Sequence, residues 1–171
     1  MNGNPPHIYW DANVFLLYLN GDPHWLPTLD VLVHAAIQGD ISIYTSVLSQ
    51  TEVAFTAVEK TNGALSANEE ARIDSLWKTR GIRVVEYNNF VALKARDIRR
   101  ASMTHGLTGH RAPDIIHMAT AQFVNADEMH STDPKLHRFS PLLPFSVCDP
   151  HTGMLSSPGS EKAIGRIPGV P

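Results

Sequence analysis

The sequence predicts an α/β domain in which helices flank a mostly parallel β-sheet. Short β-branched or aromatic runs, typical of strands, alternate with longer segments of helical periodicity. The strand-like runs are residues 7–11, 41–46, 82–87, 128–132 and 144–149. Because 43% of the 171 residues are hydrophobic, the chain is long enough to bury the core of one globular domain.

Capping residues and apolar spacing predict six helices between these strands. Their predicted ranges are 13–20, 25–39, 46–60, 66–81, 88–106 and 112–126. Gly39 and Gly81 are predicted to close the second and fourth helices. Ser66 and Glu69 form a capping-box pattern, and Pro113 suits the first turn of the last helix.

The composition excludes several classes of protein. A net charge of −3 excludes a broadly basic nucleic-acid coat. The single cysteine, Cys148, excludes an intrachain disulfide framework and favours a reducing compartment. The N-terminus lacks the pattern of a signal peptide, and no apolar stretch approaches the ~20 residues that span a bilayer. The sequence therefore predicts a soluble, cytoplasmic protein.

The composition changes at residue 151. Residues 151–171 are rich in Gly, Pro and Ser and show little periodicity. Such composition is typical of a flexible segment or of an arm that wraps a partner. We therefore expect a folded domain over residues 1–150 and a C-terminal extension over residues 151–171.

Four acidic residues are candidates for a functional site, although each has an ordinary explanation when taken alone. Asp11 ends the first strand-like run and Asp133 follows the fourth, at the edge where open α/β sheets bind ligands. Asp11 is also a favoured helix N-cap, and Asp133 precedes a proline as turn residues do. Glu52 shares a helix face with apolar side chains, pointing inward or reaching water from the edge of that face. Asp114 complements the dipole of the helix that it begins.

Taken together, the four acids favour a metal site. If they converge, their charges repel, raise one another's pKa and destabilise the fold. A divalent cation removes that conflict. Carboxylate oxygens suit Mg²⁺ or Mn²⁺, which also bind phosphate oxygens.

Four short stretches resemble, in their order, the PIN-domain family, which includes the VapC-type toxins of toxin–antitoxin pairs. They read YWDANVFLLYL, SVLSQTEVAF, APDIIHMATA and STDPKL. The resemblance covers roughly residues 7–149. It implies a three-layer sandwich, with helices on both sides of the central sheet.

The resemblance further implies an Mg²⁺- or Mn²⁺-dependent endoribonuclease, and it favours a toxin. The catalytic residues would be Asp11, Glu52, Asp114 and Asp133. The three aspartates would hold the metal, and Glu52 would complete the acidic pocket. Asn13 and Ser131 would donate hydrogen bonds that hold the carboxylates in place. A metal-activated water would attack the phosphodiester, so no side-chain nucleophile is needed.

Basic residues precede Asp114 in the chain and are predicted to contact RNA, with an ordinary solvated helix face as the alternative. They are Arg96, Arg99, Arg100 and Arg111. His117 follows Asp114 by three residues. Because the sequence has no H-E-x-x-H pattern and one cysteine, His117 is predicted to be packed or hydrogen-bonded rather than a metal ligand.

The expected partners are an RNA substrate, a cognate antitoxin and a second copy of the chain in a homodimer. The two apolar N-terminal helices either form a groove for such a partner or pack in the core. Two other functions stay open: a PIN-type nuclease that processes RNA without being a toxin, and a non-catalytic module that binds RNA or protein.

Overall fold

The computed structural model describes residues 4–61, 63 and 65–155. Its sheet has five strands: β1 (His7–Trp10), β2 (Ser42–Ser46), β3 (Ile82–Val85), β4 (Glu128–His130) and β5 (Ser146–Cys148). Their order is β3-β2-β1-β4-β5, and every neighbouring pair is parallel. The predicted α/β class and all five predicted strands are confirmed.

The helices of the described residues follow the strands in the predicted alternation. They are α1 (Ala12–Asn20), α2 (Leu26–Gln38), α3 (Leu48–Thr61), α4 (Ala67–Trp77), α5 (Asn89–Thr104), α6 (Ala112–Phe123) and α7 (Pro134–His137), with a 3₁₀ turn at Ser140–Leu142. The first six match predicted helices. The short α7 and the 3₁₀ turn lie where the sequence predicts none.

The predicted caps are mostly confirmed. Ser66 and Glu69 form the expected capping box at the start of α4. Gly39 caps α2 with a φ of 90°, which is left-handed and favours glycine. Pro113 lies in the first turn of α6, where its missing N–H does not matter.

The predicted closure of α4 on Gly81 is wrong. The helix ends at Trp77, and Gly81 instead leads into β3 with a φ of 88°. A Cβ atom at this position would lie 2.2 Å from the backbone oxygen of Ala36 in α2. Gly81 is therefore explained by close packing against α2 and not by helix termination.

The core lies on both faces of the sheet. Ile8 and Trp10 face α1 and α2, whereas Tyr9 faces α5 and α6 beside Met129 of β4. This alternation along β1 is the pleat of a strand that is covered on both sides. The three-layer arrangement is confirmed, and both β1 and β4 lie in the interior of the sheet.

The described part of the predicted extension lies against the domain. Met154 and Leu155 pack on the core between the sheet and helices α1 and α2. Residues 156–171 lie outside the described residues, so the boundary at residue 150 stays a prediction. Among the described helices, none has both the length and the apolar character needed to cross a membrane.

Candidate active site

Asp11 lies directly after β1 and caps α1. Its side chain is buried, with the residue 3% exposed. Its Oδ1 accepts the N–H of Val14 at 3.1 Å, and its Oδ2 accepts the hydroxyl of Ser131 at 2.5 Å. Burial raises the pKa of the Asp11 carboxyl, although these neutral donors and the nearby His117 oppose that shift. The helix cap that the sequence offers for Asp11 is confirmed, and it leaves a buried carboxylate at the end of a central strand.

Ser131 joins two of the four predicted acids. It follows β4, which is parallel and adjacent to β1, and it is fully buried. Its hydroxyl donates to Asp11 and accepts the backbone N–H of Asp133 at 3.2 Å. Asp133 in turn caps α7 by accepting the N–H of Lys135 at 2.9 Å. The carboxyl ends of β1 and β4 therefore bring Asp11 and Asp133 to the same hydroxyl group.

Glu52 is held by a buried polar chain that crosses from β1 to α6. Its Oε2 lies 2.7 Å from Nε2 of His117, and Nδ1 of that ring lies 2.7 Å from the hydroxyl of Tyr9. The Tyr9 oxygen also accepts the N–H of Ser46 at 2.9 Å. His117 is thus hydrogen-bonded, as the sequence predicts.

Asp114 lies one helical turn before His117, near the start of α6. It is partly buried, and its Oδ2 accepts the N–H of Arg111 at 2.6 Å. Residues three apart share a helix face, so Asp114 lies on the same side of α6 as the contact between His117 and Glu52. The structure thus joins Asp11 to the backbone of Asp133 through Ser131, and it places Asp114 on the same face of α6 as His117, the partner of Glu52.

Asn13 and Asp133 line an open cleft of about 490 Å³. Asn13 is exposed on the first turn of α1, and Thr132 and Pro134 also line the cleft. The predicted role of Asn13 in holding a carboxylate stays a prediction. The cleft gives solvent, and any ligand that enters it, access to the end of β4.

The predicted RNA-contacting arginines divide into two groups. Arg96 and Arg99 line a second cleft, of about 350 Å³, between α5 and the start of α6, where Arg99 contacts His110. Arg100 is exposed and lies 3.7 Å from the carboxylate of Asp97. Arg111 is exposed at the N-cap of α6.

The sequence does not predict that Tyr9 contacts this network. A tyrosine in a buried strand usually finds a hydrogen-bond partner for its hydroxyl, and that is its only sequence signal. Its partners come from β2 and α6, which only the folded chain brings together.

Comparisons with known proteins agree with this architecture. A sequence model of the PIN-domain family matches residues 8–140 of this chain, a range that contains all four acids. No curated protein matches the sequence. Three solved structures with a similar fold are FitAcB from Neisseria gonorrhoeae, VapBC2 from Rickettsia felis bound to a promoter DNA fragment, and VapC20 from Mycobacterium tuberculosis, described as a sarcin–ricin loop cleaving toxin.

The structural likeness extends over nearly all of each relative. FitAcB is 19% identical with a TM-score of 0.62, covering 84% of this chain and 97% of its own. VapBC2 is 12% identical with a TM-score of 0.61 and the same coverages. VapC20 is 12% identical with a TM-score of 0.55, covering 75% of this chain and 92% of its own. At such identities the likeness shows a shared fold, whereas the family match spans most of the sequence. This chain belongs to the PIN-domain family.

Proposed function

We propose that this chain is a metal-dependent endoribonuclease and the toxin of a toxin–antitoxin pair. The observation that carries the proposal is that the hydroxyl of Ser131 joins the Asp11 carboxylate to the backbone N–H of Asp133, at the carboxyl ends of neighbouring parallel strands. This is the edge at which α/β sheets bind their ligands. The description of VapC20, a relative in fold, as a toxin that cleaves the sarcin–ricin loop supports an RNA substrate.

The donor chemistry of these residues suits a hard divalent cation. The proposed metal ligands Asp11, Asp114 and Asp133 offer oxygen atoms, the donors that Mg²⁺ and Mn²⁺ prefer. The partners that hold the buried Asp11 carboxylate are neutral hydrogen-bond donors, so its charge gains from a nearby cation. When bound, such an ion lowers the pKa of a water molecule and stabilises charge on the phosphate.

The side chains around the acids would keep them in place. Ser131 orients the Asp11 carboxylate and the backbone of Asp133. The Tyr9 oxygen accepts from Ser46, and we propose that its own proton is donated to Nδ1 of His117. The Nε2 proton of His117 then points at Oε2 of Glu52 and orients that carboxylate. Glu52 can then orient or deprotonate the attacking water.

The cleft lined by Arg96 and Arg99 supports a path for RNA. It reaches Ala112 at the start of α6, two residues before Asp114. Guanidinium groups bind phosphate oxygens in a bidentate manner, and a helix N-terminus favours anions. We propose that this cleft positions the backbone of a cytoplasmic RNA beside the acids, with Arg100 and Arg111 at its rim.

Two surfaces support the proposed protein partners. Tyr87, just before α5, and Phe90 and Leu93 in its first two turns have exposed fractions of 47%, 68% and 40%, and this apolar patch suits a homodimer contact. Leu16 and Leu19 of α1 line a small cleft with Ile73 of α4, which suits an apolar side chain of an antitoxin. Two of the solved structures similar in fold, VapBC2 and FitAcB, take their names from complexes.

The test of the nuclease proposal is RNA cleavage by Asp114→Asn. The amide oxygen can still accept the N–H of Arg111, so the fold should survive. Cleavage in Mg²⁺ or Mn²⁺ should fall by about 10²–10³-fold, a loss typical of removing a group that stabilises charge in the transition state. EDTA should abolish the wild-type activity. Asp74→Asn on the exposed side of α4 is the matched control and should cleave normally. Undiminished cleavage by Asp114→Asn, or in EDTA, would overturn the metal mechanism.

A growth assay separates the toxin from its alternatives. Expression of the wild type should arrest growth, Asp114→Asn should not, and a neighbouring small gene should relieve the arrest. Cleavage without arrest would favour an RNA-processing nuclease. Tight RNA binding without cleavage would favour a non-catalytic module.

A further inference from the structure

A second group of possible metal ligands lies on the sheet face that carries Trp10, at the edge formed by β4 and β5. One atom each from Glu128, His130, Cys148 and His151 lie within 4.8 Å of one another. Glu128 and His130 are two residues apart in β4 and therefore lie on the same face of the sheet. His130 pairs with Cys148 of β5, and His151 lies in the loop that follows β5. None of the four belongs to the acidic site described above.

The distances around His151 match the edges of a coordination tetrahedron. Its Nε2 lies 3.3 Å from Oε2 of Glu128 and 3.5 Å from Sγ of Cys148. Zinc bonds of about 2.0–2.1 Å to N or O and about 2.3 Å to S, at a tetrahedral angle, place these atoms about 3.3 Å and about 3.5 Å apart. The observed N···O distance is long for a hydrogen bond between these groups, for which about 2.7–2.9 Å is usual when charge assists.

His130 is not expected to bind the ion, because both of its ring nitrogens already form hydrogen bonds. The indole N–H of Trp10 donates to Nδ1 of His130 at 3.1 Å, so the ring proton lies on Nε2. That Nε2–H donates to Oε1 of Glu128 at 2.7 Å. The second oxygen of the carboxylate is thereby turned towards Cys148 and His151. A histidine that orients a metal-binding carboxylate in this way supports the site without touching the ion.

We propose that Glu128, Cys148 and His151 bind one zinc ion, with His130 orienting the carboxylate and a fourth coordination position open to solvent. Thiolate, imidazole and carboxylate together select zinc over the hard ions that suit the acidic site. The thiolate and the carboxylate together carry the charge that a divalent cation neutralises. His151 is exposed and Cys148 is half-buried, so an ion reaches the site from solvent.

Binding requires two proton changes that the exposed loop permits. The Cys148 thiol releases its proton to solvent. The Gly153 N–H donates to Nδ1 of His151 at 3.0 Å, which leaves the ring proton on Nε2. Coordination through Nε2 moves that proton to Nδ1, so the Gly153 N–H must turn to water. Both residues are exposed, and zinc binding should therefore remodel the turn at 151–153 while fixing it to the sheet edge.

Cobalt spectroscopy of the untagged, full-length protein tests the site directly. Stripped protein titrated with Co²⁺ in excess Mg²⁺ should show one equivalent of tetrahedral visible bands and a sulfur-to-metal charge-transfer band in the near ultraviolet. Zinc should displace the cobalt and raise the melting temperature. Cys148→Ser should remove the charge-transfer band, and His151→Gln should weaken zinc binding at least tenfold. His24→Gln, an exposed histidine between α1 and α2, is the matched control and should behave as wild type.

The remaining outcomes are decisive in either direction. Absence of the charge-transfer band in wild type overturns the proposal, and so does unchanged zinc affinity in both Cys148→Ser and His151→Gln. Retention of the band in Asp114→Asn supports a site separate from the acidic one, whether or not the protein cleaves RNA.

Discussion

The two polar regions at the end of β4 lie one residue apart and differ in chemistry. Ser131 contributes to the proposed site of oxygen donors, where its hydroxyl donates to the Asp11 carboxylate and accepts the backbone N–H of Asp133. His130 contributes to a mixed cluster of nitrogen, sulfur and oxygen donors. There, burial and the neighbouring carboxylates of Glu128 and Asp149 raise the pKa of the Cys148 thiol to about 11. Adjacent residues lie on different sides of the strand end, and the two proposals therefore assign a hard cation to one side and a softer cation to the other.

The largest expected effect is that a variant in either region loses the response to one metal and keeps the response to the other. Asp11→Asn should lose stabilisation by Mn²⁺ and reduce RNA cleavage by about 10²–10³-fold while keeping the cobalt charge-transfer band. Cys148→Ser should lose the cobalt charge-transfer band while keeping stabilisation by Mn²⁺ and wild-type RNA cleavage. Parallel thermal-shift and cleavage assays measure both effects. If either variant removed the response to both metals, the two regions would form one site.

Tyr9→Phe should produce the largest loss of stability among these variants. It leaves the buried N–H of Ser46 without its acceptor and removes a partner from His117. An unsatisfied buried donor costs about 1–3 kcal/mol in the free energy of unfolding. Urea denaturation measures that loss, and Tyr44→Phe in the neighbouring strand β2 is the control. Equal losses in the two variants would argue against a structural role for the Tyr9 hydroxyl.

Asp11→Asn should make the metal-free protein more stable. Burial raises the folded-state pKa of Asp11, so the wild type loses stability as the pH rises through that pKa. Asparagine is an equally good N-cap and carries no charge. In EDTA, the melting temperature of Asp11→Asn should exceed that of wild type at neutral pH, with the difference shrinking in acid. A lower melting temperature at neutral pH would contradict the inference that an uncompensated charge is buried here.

The smallest expected effect lies far from both regions. Ser66→Ala removes the side chain that caps α4 and should reduce the free energy of unfolding by about 1 kcal/mol. RNA cleavage, manganese binding and zinc binding should all stay at wild-type values. A change in RNA cleavage, manganese binding or zinc binding would show that the stability of α4 affects the sites at the end of β4.

The two regions also differ in how far the sequence predicts them. Asp11 ends one strand-like run and Asp133 follows another, so the rule that parallel strands bind ligands at their carboxyl ends already places both residues at the same edge of the sheet. The zinc cluster has no such signal, because a single cysteine argues against a zinc site until the pairing of β4 with β5 places Cys148 beside His130. Gly81 shows the same limit: its neighbour Ala36 lies in another helix, and the sequence alone suggests a helix end instead. Local patterns predict elements and their ends, whereas contacts between distant segments require the fold.

The hydrogen bond between Ser131 and Asp11 joins residues that are 120 positions apart. The ribosome synthesises the chain from its N-terminus, so Asp11 is made long before Ser131. Until β4 has emerged and paired with β1, the growing polypeptide lacks Asp133, and the Asp11 carboxylate lacks its hydrogen-bond donor Ser131. The proposed endoribonuclease activity would therefore appear only after most of the chain has been synthesised, which would protect the message from which it is being translated.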